Sequence, residues 1–120
     1  MSHIVSIKTQ LKDEAAITAA CQRLNLTAPV HGTAKLYSGQ ATGLLVQLPG
    51  WKYPVVIDTP SGNIEFDNFE EAWGEQKQFD IFLQAYAVEK EKLEARRRGR
   101  TITETQLQDG SIKLQIQEGT

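Results

Sequence analysis

The spacing of apolar residues along this 120-residue chain changes several times, and each change predicts a different element. The stretch His3–Lys8 is short and β-branched, which predicts a strand. Apolar residues then recur at i, i+3, i+4 and i+7 from Ile17 to Leu24, which predicts a helix over Asp13–Leu24. Its acidic start suits the positive end of a helix dipole.

Between Thr27 and Asp67 the helical period disappears, and glycines and prolines separate short β-prone runs. The runs read AKLY, GLLVQL, YPVVID and NIEF, and turn residues at this spacing predict an antiparallel meander. Ser61-Gly62-Asn63 is expected to form one of its turns. A second helical period then predicts a helix from about Gln78 to Arg98, roughly 30 Å long, with Gly99 as the residue that ends it.

The tail TITETQLQDGSIKLQI predicts a β-hairpin, because Asp109-Gly110 is a strong type I′ turn pair. If those two residues form the turn, Leu107 pairs with Ile112 and Thr105 with Leu114. Ile112, Leu114 and Ile116 should then be buried against a helix. The opposite face, expected to be wet, carries Glu104, Gln106, Lys113 and Gln115.

These elements predict a single α+β domain over residues 1–120. We expect an antiparallel sheet of five to seven strands, with two helices on one face and a hairpin at the end. The order strand, helix, strands, helix, hairpin permits a ferredoxin-like variant, in which the first strand and the final hairpin would be neighbours.

Charge and cysteine content narrow the class of protein. The net charge is −2, whereas dedicated nucleic-acid binders are usually clearly basic. Cys21 is the sole cysteine, so no intrachain disulfide forms, which fits a reducing compartment. The chain start lacks the apolar region of a signal peptide, and no apolar run approaches the ~20 residues of a membrane span. We therefore expect a cytoplasmic protein with no membrane partner.

The search for chemistry gives mainly exclusions. One Cys and two His are too few for a Cys/His zinc site, and P-loop, GxGxxG, HExxH, EF-hand and GxSxG motifs are absent. We expect no catalytic residue, no cofactor and no metal. Cys21 is interpreted as a packing residue on the apolar helix face. The other polar candidates, His3, His31, Glu70 and Glu71, have ordinary surface or helix-start interpretations.

Two groups of residues are candidates for binding a partner. Arg96, Arg97 and Arg98 lie just before Gly99, where cations offset the helix dipole, but Arg100 extends the basic group past the helix end and leaves RNA or phosphate binding open. Residues 65–80 are mainly acidic and residues 90–100 mainly basic, a polarity that can steer a partner or a second copy.

Two tryptophans form the other group. Trp51 lies in PGWKYP between two prolines, where a loop would display it, and Trp73 precedes Gly74. Either buried packing or an interface role suits a tryptophan, because its ring brings large contact area at low entropy cost.

Three segments together resemble a known family: MSHIVSIKTQLKD, AWG followed by FLQAYAVEKEKLEARRRG, and ITETQLQDGSIKLQI. They look like the uncharacterised family of cyanobacteria and red-algal plastids called hypothetical chloroplast open reading frame thirty-five. Tyr86, Ala87, Lys90 and Asp109-Gly110 carry the match. The resemblance implies a cytosolic or plastid-stromal location and brings no activity, cofactor or site residue.

Three functional hypotheses follow. The first is a small non-enzymatic protein-interaction module or adaptor that binds another protein through a sheet edge, the long helix or its charged ends. The second is an RNA- or nucleoprotein-associated protein that uses Arg96, Arg97, Arg98 and Arg100. The third is an enzyme with an unfamiliar site near His31, Tyr37 and Trp51. Association of several copies stays open.

Overall fold

A computed structural model describes residues 5–7, 11–37, 39–67 and 72–117 of the chain. It confirms an α+β fold with two helices and antiparallel strands. The elements, in chain order, are β1 Val5–Ile7, α1 Glu14–Arg23, β2 Val30–Leu36, β3 Gly39–Val46, β4 Val55–Asp58, β5 Asn63–Phe66, α2 Gln76–Arg97, β6 Thr101–Gln106 and β7 Ile112–Gln117.

The first five strands form one antiparallel sheet in the order β1-β5-β4-β3-β2. The predicted meander is its main part, since β2, β3, β4 and β5 each pair with the next strand along the chain. Helix α1 leads from β1 at one edge of the sheet to β2 at the other. Alternate residues of β3, β4 and β5 face the helices, as the pleat of a strand requires.

Helices α1 and α2 cover one face of this sheet and bury its alternate side chains. Phe79 and Phe82 of α2 and Ile17 of α1 are at most 1% exposed. Burying each such side chain contributes roughly 1.5–3 kcal/mol, so this layer supplies most of the stability of the fold. The strand residues that join it are Leu44, Val46, Val55, Ile57, Ile64 and Phe66.

Helix α1 is closed at both ends by local hydrogen bonds. The Asp13 side chain accepts from the backbone N–H of Ala16 at 3.2 Å, which is an N-cap. At the other end Asn25 has φ +58°, and the N–H of Leu26 donates to the carbonyl of Cys21 at 2.8 Å. This is a Schellman ending, with asparagine in the left-handed position.

The C-terminal hairpin differs from the prediction by one residue of register. Ile102 pairs with Ile116 and Glu104 with Leu114, so the predicted Thr105–Leu114 pairing is wrong. Asp109 does not adopt the positive φ that a type I′ turn requires.

The loop of this hairpin has three residues instead of two. Gly110 alone is left-handed, with φ +89°, and its N–H donates to the carbonyl of Leu107 at 3.0 Å. The N–H of Leu107 in turn donates to the carbonyl of Ser111 at 2.8 Å. This is a type I turn followed by a glycine bulge, and the extra loop residue shifts the pairing.

The shift exchanges the two faces of β6. Glu104, expected to be wet, shares the half-buried face with Ile112 and Leu114, and Leu107 is 45% exposed. The side chain of Ile116 lies outside what the structure describes.

The hairpin forms a separate two-stranded sheet. The prediction of a single sheet of five to seven strands is therefore wrong, because the strands divide into a sheet of five and a sheet of two. Strand β1 pairs with β5 and not with the hairpin. The ferredoxin-like variant is not confirmed, because α2 is followed by this separate hairpin and by no strand of the main sheet.

Candidate functional site

Trp51 lies in the core, which fits the packing interpretation of this residue. Its side chain is 5% exposed, and its indole N–H donates to the carbonyl of Glu75 at 3.0 Å. The ring of Phe66 meets it edge-on, with centroids 5.4 Å apart. The hydrogen bond satisfies the one polar atom that burial would otherwise leave costly.

Trp73, unlike Trp51, does not lie in the core. The backbone of the next residue, Gly74, packs closely against the ring of Trp51. A Cβ atom at Gly74 would come within 2.4 Å of the Trp51 ring, so only glycine fits there. The N–H of Lys52 donates to the carbonyl of Trp73 at 2.8 Å. These contacts join the segment before α2 to the loop before β4, and they fix the backbone at Trp73.

Trp73 is the centre of an aromatic cluster, which we define as Tyr37, Tyr53 and Trp73. Its ring centroid lies 5.2 Å from that of Tyr37 and 5.6 Å from that of Tyr53. The Lys52 ammonium lies 4.7 Å from the centroid of the Trp73 ring, a cation–π contact. Tyr37 is 63% exposed, whereas Tyr53 and Trp73 are half-buried. The cluster therefore has a fixed base and an accessible rim.

The base of this cluster is a small apolar patch on the sheet face away from the helices. Leu36 and Val56 are buried in it, at 1% and 3% exposure, and Tyr53 packs against it. Ala34 and Ala41, which face each other across β2 and β3, complete it. The aromatic rings are thus held by packing as well as by backbone hydrogen bonds.

The arginines lie at the far end of α2. Arg96, Arg97 and Arg98 are exposed, and Gly99 has φ +71°. The N–H of Arg100 donates to the carbonyl of Ala95 at 2.8 Å, which gives α2 a Schellman ending as well. This geometry fits the helix-end interpretation of the arginines.

Part of the basic group nevertheless surrounds a cavity. Lys92, Arg96 and Arg100 line a space of about 220 Å³ together with Thr101 and Ile102. Helix α2 has 22 residues and so spans roughly 33 Å between the aromatic cluster near its start and this basic cavity near its end. The two groups of sequence-predicted residues therefore belong to separate surfaces.

A network of four charged side chains joins the hairpin to both helices. The ammonium of Lys92 lies 2.8 Å from Oε2 of Glu104, and the guanidinium of Arg23 hydrogen-bonds Glu104 and lies 3.1 Å from Oε2 of Glu89. Hydrogen bonds from Arg23 and then from Lys92 lower the pKa of Glu104 from 4.5 to about 2. The same contacts raise the pKa of both cations.

The residues suggested for an unfamiliar enzyme site are in three different places. His31 has its Nε2 atom 2.9 Å from Oε1 of Glu14, on the helix side of the sheet. Tyr37, at the other end of β2, belongs to the aromatic cluster, and Trp51 belongs to the core. A groove of about 910 Å³ between the hairpin, α2 and the end of α1 is lined by none of these three.

Among the remaining candidates, those within the described residues add no reactive group. Cys21 is fully buried, and burial raises the pKa of its thiol. Within the described ranges no three His, Cys, Asp or Glu side chains are grouped to hold a metal ion. In the same part of the chain no helix combines the length and apolar character that a membrane span needs. His3, Glu70 and Glu71 lie outside the described residues.

Comparison with known proteins identifies no relative: no family, no curated protein and no solved structure matches this chain.

Sequence reasoning selected Trp73 as a binding residue and Tyr37 only for an enzyme site, and it did not select Tyr53 or Lys52. Tyr37, Tyr53 and Lys52 come from two other loops, and only the fold brings the three loops together. The signal that was available is the composition of PGWKYP, which places a lysine and two aromatic residues in one loop between two prolines.

Proposed function

We propose that this chain is a small non-enzymatic protein-interaction module and that the aromatic cluster is its docking surface. The observation that carries the proposal is the half-buried Trp73 between two tyrosines, with the exposed Lys52 over its ring. Tryptophan and tyrosine dominate binding energy at protein interfaces, because they contribute large areas with little entropy to lose.

The chemistry of the cluster specifies the partner. The rings accept an apolar side chain, and the ammonium of Lys52 accepts a carboxylate beside it. We therefore expect a protein partner with an apolar residue next to an acidic one. Desolvating a cation–π contact strengthens it, so a partner that covers Trp73 also gains from Lys52.

The proposal includes the resemblance to the cyanobacterial and plastid family and the cytoplasmic or stromal location that the resemblance implies. A module of this kind needs neither a cofactor nor a metal.

A second candidate function is binding of RNA or another phosphate-bearing partner at the end of α2. The observation that favours it is the cavity lined by Lys92, Arg96 and Arg100. Phosphate contacts of this kind depend steeply on salt. No aromatic ring lines this cavity, so the stacking that single-strand binders use would have to come from elsewhere.

The first proposal can be tested by affinity capture followed by reconstitution. The tagged chain is used to capture proteins from its native organism, and the captured protein is then purified and titrated against the tagged chain by calorimetry. Tyr37→Ser and Lys52→Glu should each weaken that defined complex about tenfold or more, which corresponds to ~1.4 kcal/mol. Fewer than about a third of interface residues cost more than ~1 kcal/mol when truncated, so this loss would mark both as important contacts.

Leu107→Ser is the matched control, because Leu107 is also an exposed apolar residue but lies on the hairpin loop. A complex that is unaffected by the two cluster variants would overturn the proposal. The double variant Arg96→Gln, Arg100→Gln tests the second candidate function. Its binding to single-stranded RNA is compared with that of the parent chain in a filter-binding assay at low and moderate salt. If the folded double variant binds RNA as well as the parent does, the second candidate function is excluded.

A further inference from the structure

The outer edge of the main sheet is the feature that the aromatic cluster leaves unexplained. Strand β2 has seven residues and, among the residues that the structure describes, pairs only with β3. Its other side presents backbone N–H and C=O groups in a row, which is a template for a further strand. Natural proteins usually blunt such an edge with proline, a bulge or a covering element, and the pairing of β2 with β3 is regular from Val30 to Leu36.

The exposed apolar side chains of the described residues concentrate at this same edge. Three large ones are exposed, and two of them flank β2: Val30 is 58% exposed and Tyr37 is 63% exposed. Val30 begins the strand and Tyr37 follows its last residue. An unpaired edge with exposed apolar groups at both ends is a surface that a further strand can cover.

We propose that two copies of this chain pair along β2, antiparallel and about a two-fold axis at Thr33, to make one continuous ten-stranded sheet. In this register Val30 of one copy lies opposite Leu36 of the other and next to its Tyr37. Directly opposite residues share a face, so Val30 of one copy and Leu36 of the other meet on the face away from the helices. The contact is isologous, so every interaction occurs twice.

Charge on the other face selects a second copy as the occupant. The register places the exposed Lys35 of one copy opposite His31 of the other. Oε1 of Glu14 lies 2.9 Å from that histidine, and the Glu14 side chain is 50% exposed. The ammonium of Lys35 therefore meets a carboxylate across the edge. Lys35 would disfavour pairing of most other strands with this edge, but it favours β2 of a second copy, which brings Glu14 beside it. The inference does not depend on the aromatic cluster binding a partner.

A cross-linking experiment tests the two-fold axis directly. Residues opposite each other in an antiparallel pair have Cα atoms roughly 4.5–5.5 Å apart, which is within the range of a disulfide. Thr33→Cys should form a disulfide dimer under mild oxidation, and the native Cys21 is buried and will not compete.

Thr42→Cys is the matched control, because Thr42 is the cross-strand neighbour of Thr33 and shares a 2.7 Å hydroxyl hydrogen bond with it. It lies one strand further in, so its thiols cannot meet. We expect Thr33→Cys to cross-link at least about tenfold faster, since only paired thiols have a millimolar effective concentration. Equal rates for the two variants would overturn the proposal.

Sedimentation equilibrium from about 1 μM to about 1 mM then measures the association itself. Val30→Lys should weaken the dimer about tenfold or more, and Leu107→Lys, at the third exposed apolar residue, should not. Lys35→Glu and Glu14→Lys should each weaken it, and the double variant should restore it. Three outcomes would contradict the proposal. The chain could be monomeric over the whole concentration range, or only Leu107→Lys could break the dimer. The third is that the Lys35→Glu, Glu14→Lys double variant dimerises no more strongly than either single variant. Circular dichroism confirms that each variant is folded.

Discussion

The five-stranded sheet with its two helices and the C-terminal hairpin are held in place by different forces. In the first region Phe82, Ile17 and Val55 are fully buried, and the apolar layer is continuous from helix to sheet. In the hairpin, Ile112 and Leu114 are only half-buried, and the closest attachments to the helices are the contacts of Glu104 with Arg23 and Lys92.

This difference predicts that the apolar layer depends less on pH and salt than the attachment of the hairpin does. Apolar burial has no charge to titrate or screen, whereas partly exposed ion pairs weaken with salt and disappear when their carboxylate is protonated. The stabilities of the two regions should therefore respond differently when pH and salt are varied.

The largest effect should come from the centre of the apolar layer. Phe82→Ala should lower the free energy of unfolding by about 3–5 kcal/mol, because it removes a fully buried ring and leaves a cavity. Urea titration followed by tryptophan fluorescence measures this loss. Leu107→Ala, on the hairpin loop, should stay within about 0.5 kcal/mol. A loss below about 1 kcal/mol at Phe82 would mean that the sheet region is not the stable one.

A smaller effect should come from the backbone of the same region. Gly43→Ala should cost about 1–3 kcal/mol, because its new methyl group would lie 2.5 Å from the carbonyl oxygen of Ile57. Gly32, which faces Gly43 across β2 and β3, is the matched control. At Gly32 a methyl group would meet only Leu45, at 3.5 Å, so Gly32→Ala should be neutral or slightly stabilising. Equal losses in thermal denaturation would refute this account.

The hairpin should respond to removal of one charge. Glu104→Gln should cost about 1–2 kcal/mol, less than the full shift of its pKa from 4.5 to about 2 implies, because the site is partly exposed to solvent. This pKa is lowered by folding, so the contribution of Glu104 is complete above pH 4.5 and is lost as pH falls through about 2.

Hydrogen exchange of the β6 and β7 amides between pH 5 and pH 2 measures that loss, with unfolding followed in parallel. Glu91→Gln, at an exposed carboxylate of α2 outside this network, should change little. Hairpin amides that stay equally protected in Glu104→Gln would show that the hairpin is held by its apolar residues instead.

The smallest effect should come from the junction of the two regions. Replacing Arg96, Arg97 and Arg98 together with Gln should cost about 1 kcal/mol, because cations at a helix end are worth only about 0.3–1 kcal/mol each and salt screens them. The change also removes the 3.6 Å contact of Arg97 with Asp13. The melting temperatures of the variant and the parent should differ at low salt and converge at high salt. A loss as large as that of Phe82→Ala would give these arginines a structural role that their exposure does not suggest.

The elements that the sequence predicted well are those defined by local chemistry. Asp13, at the predicted acidic start of α1, is its N-cap, and Gly99 ends α2 in the left-handed conformation as predicted. The second helix begins at Gln76, two residues before the predicted start at Gln78. Each of these depends on a few neighbouring residues, and side-chain periodicity reports them directly.

The elements that it predicted poorly depend on contacts between distant residues or on a single backbone angle. The hairpin register depends on whether both Asp109 and Gly110 or Gly110 alone adopt a positive φ. The Asp-Gly pair is compatible with both. Alternation marks a strand but does not say which strand it joins, so the division into two sheets was not visible. The aromatic cluster needed three loops to meet. Of its members only Trp73 was identified as a binding residue, and Tyr37 was considered only for an enzyme site.

The pairing of β1 with β5 has a consequence for how the chain is made. Val5 lies opposite Phe66, so the strand made first completes its hydrogen bonds only when a segment about 60 residues later has left the ribosome. At roughly 5–20 residues per second, that wait lasts about 3–12 s. During it, β2, β3 and β4 can already close as successive hairpins, since each pairs with its neighbour. The nascent meander would thus form before β1 pairs with β5. Until then the edge of β5 is unpaired, and a chaperone or a strand of another chain could bind there.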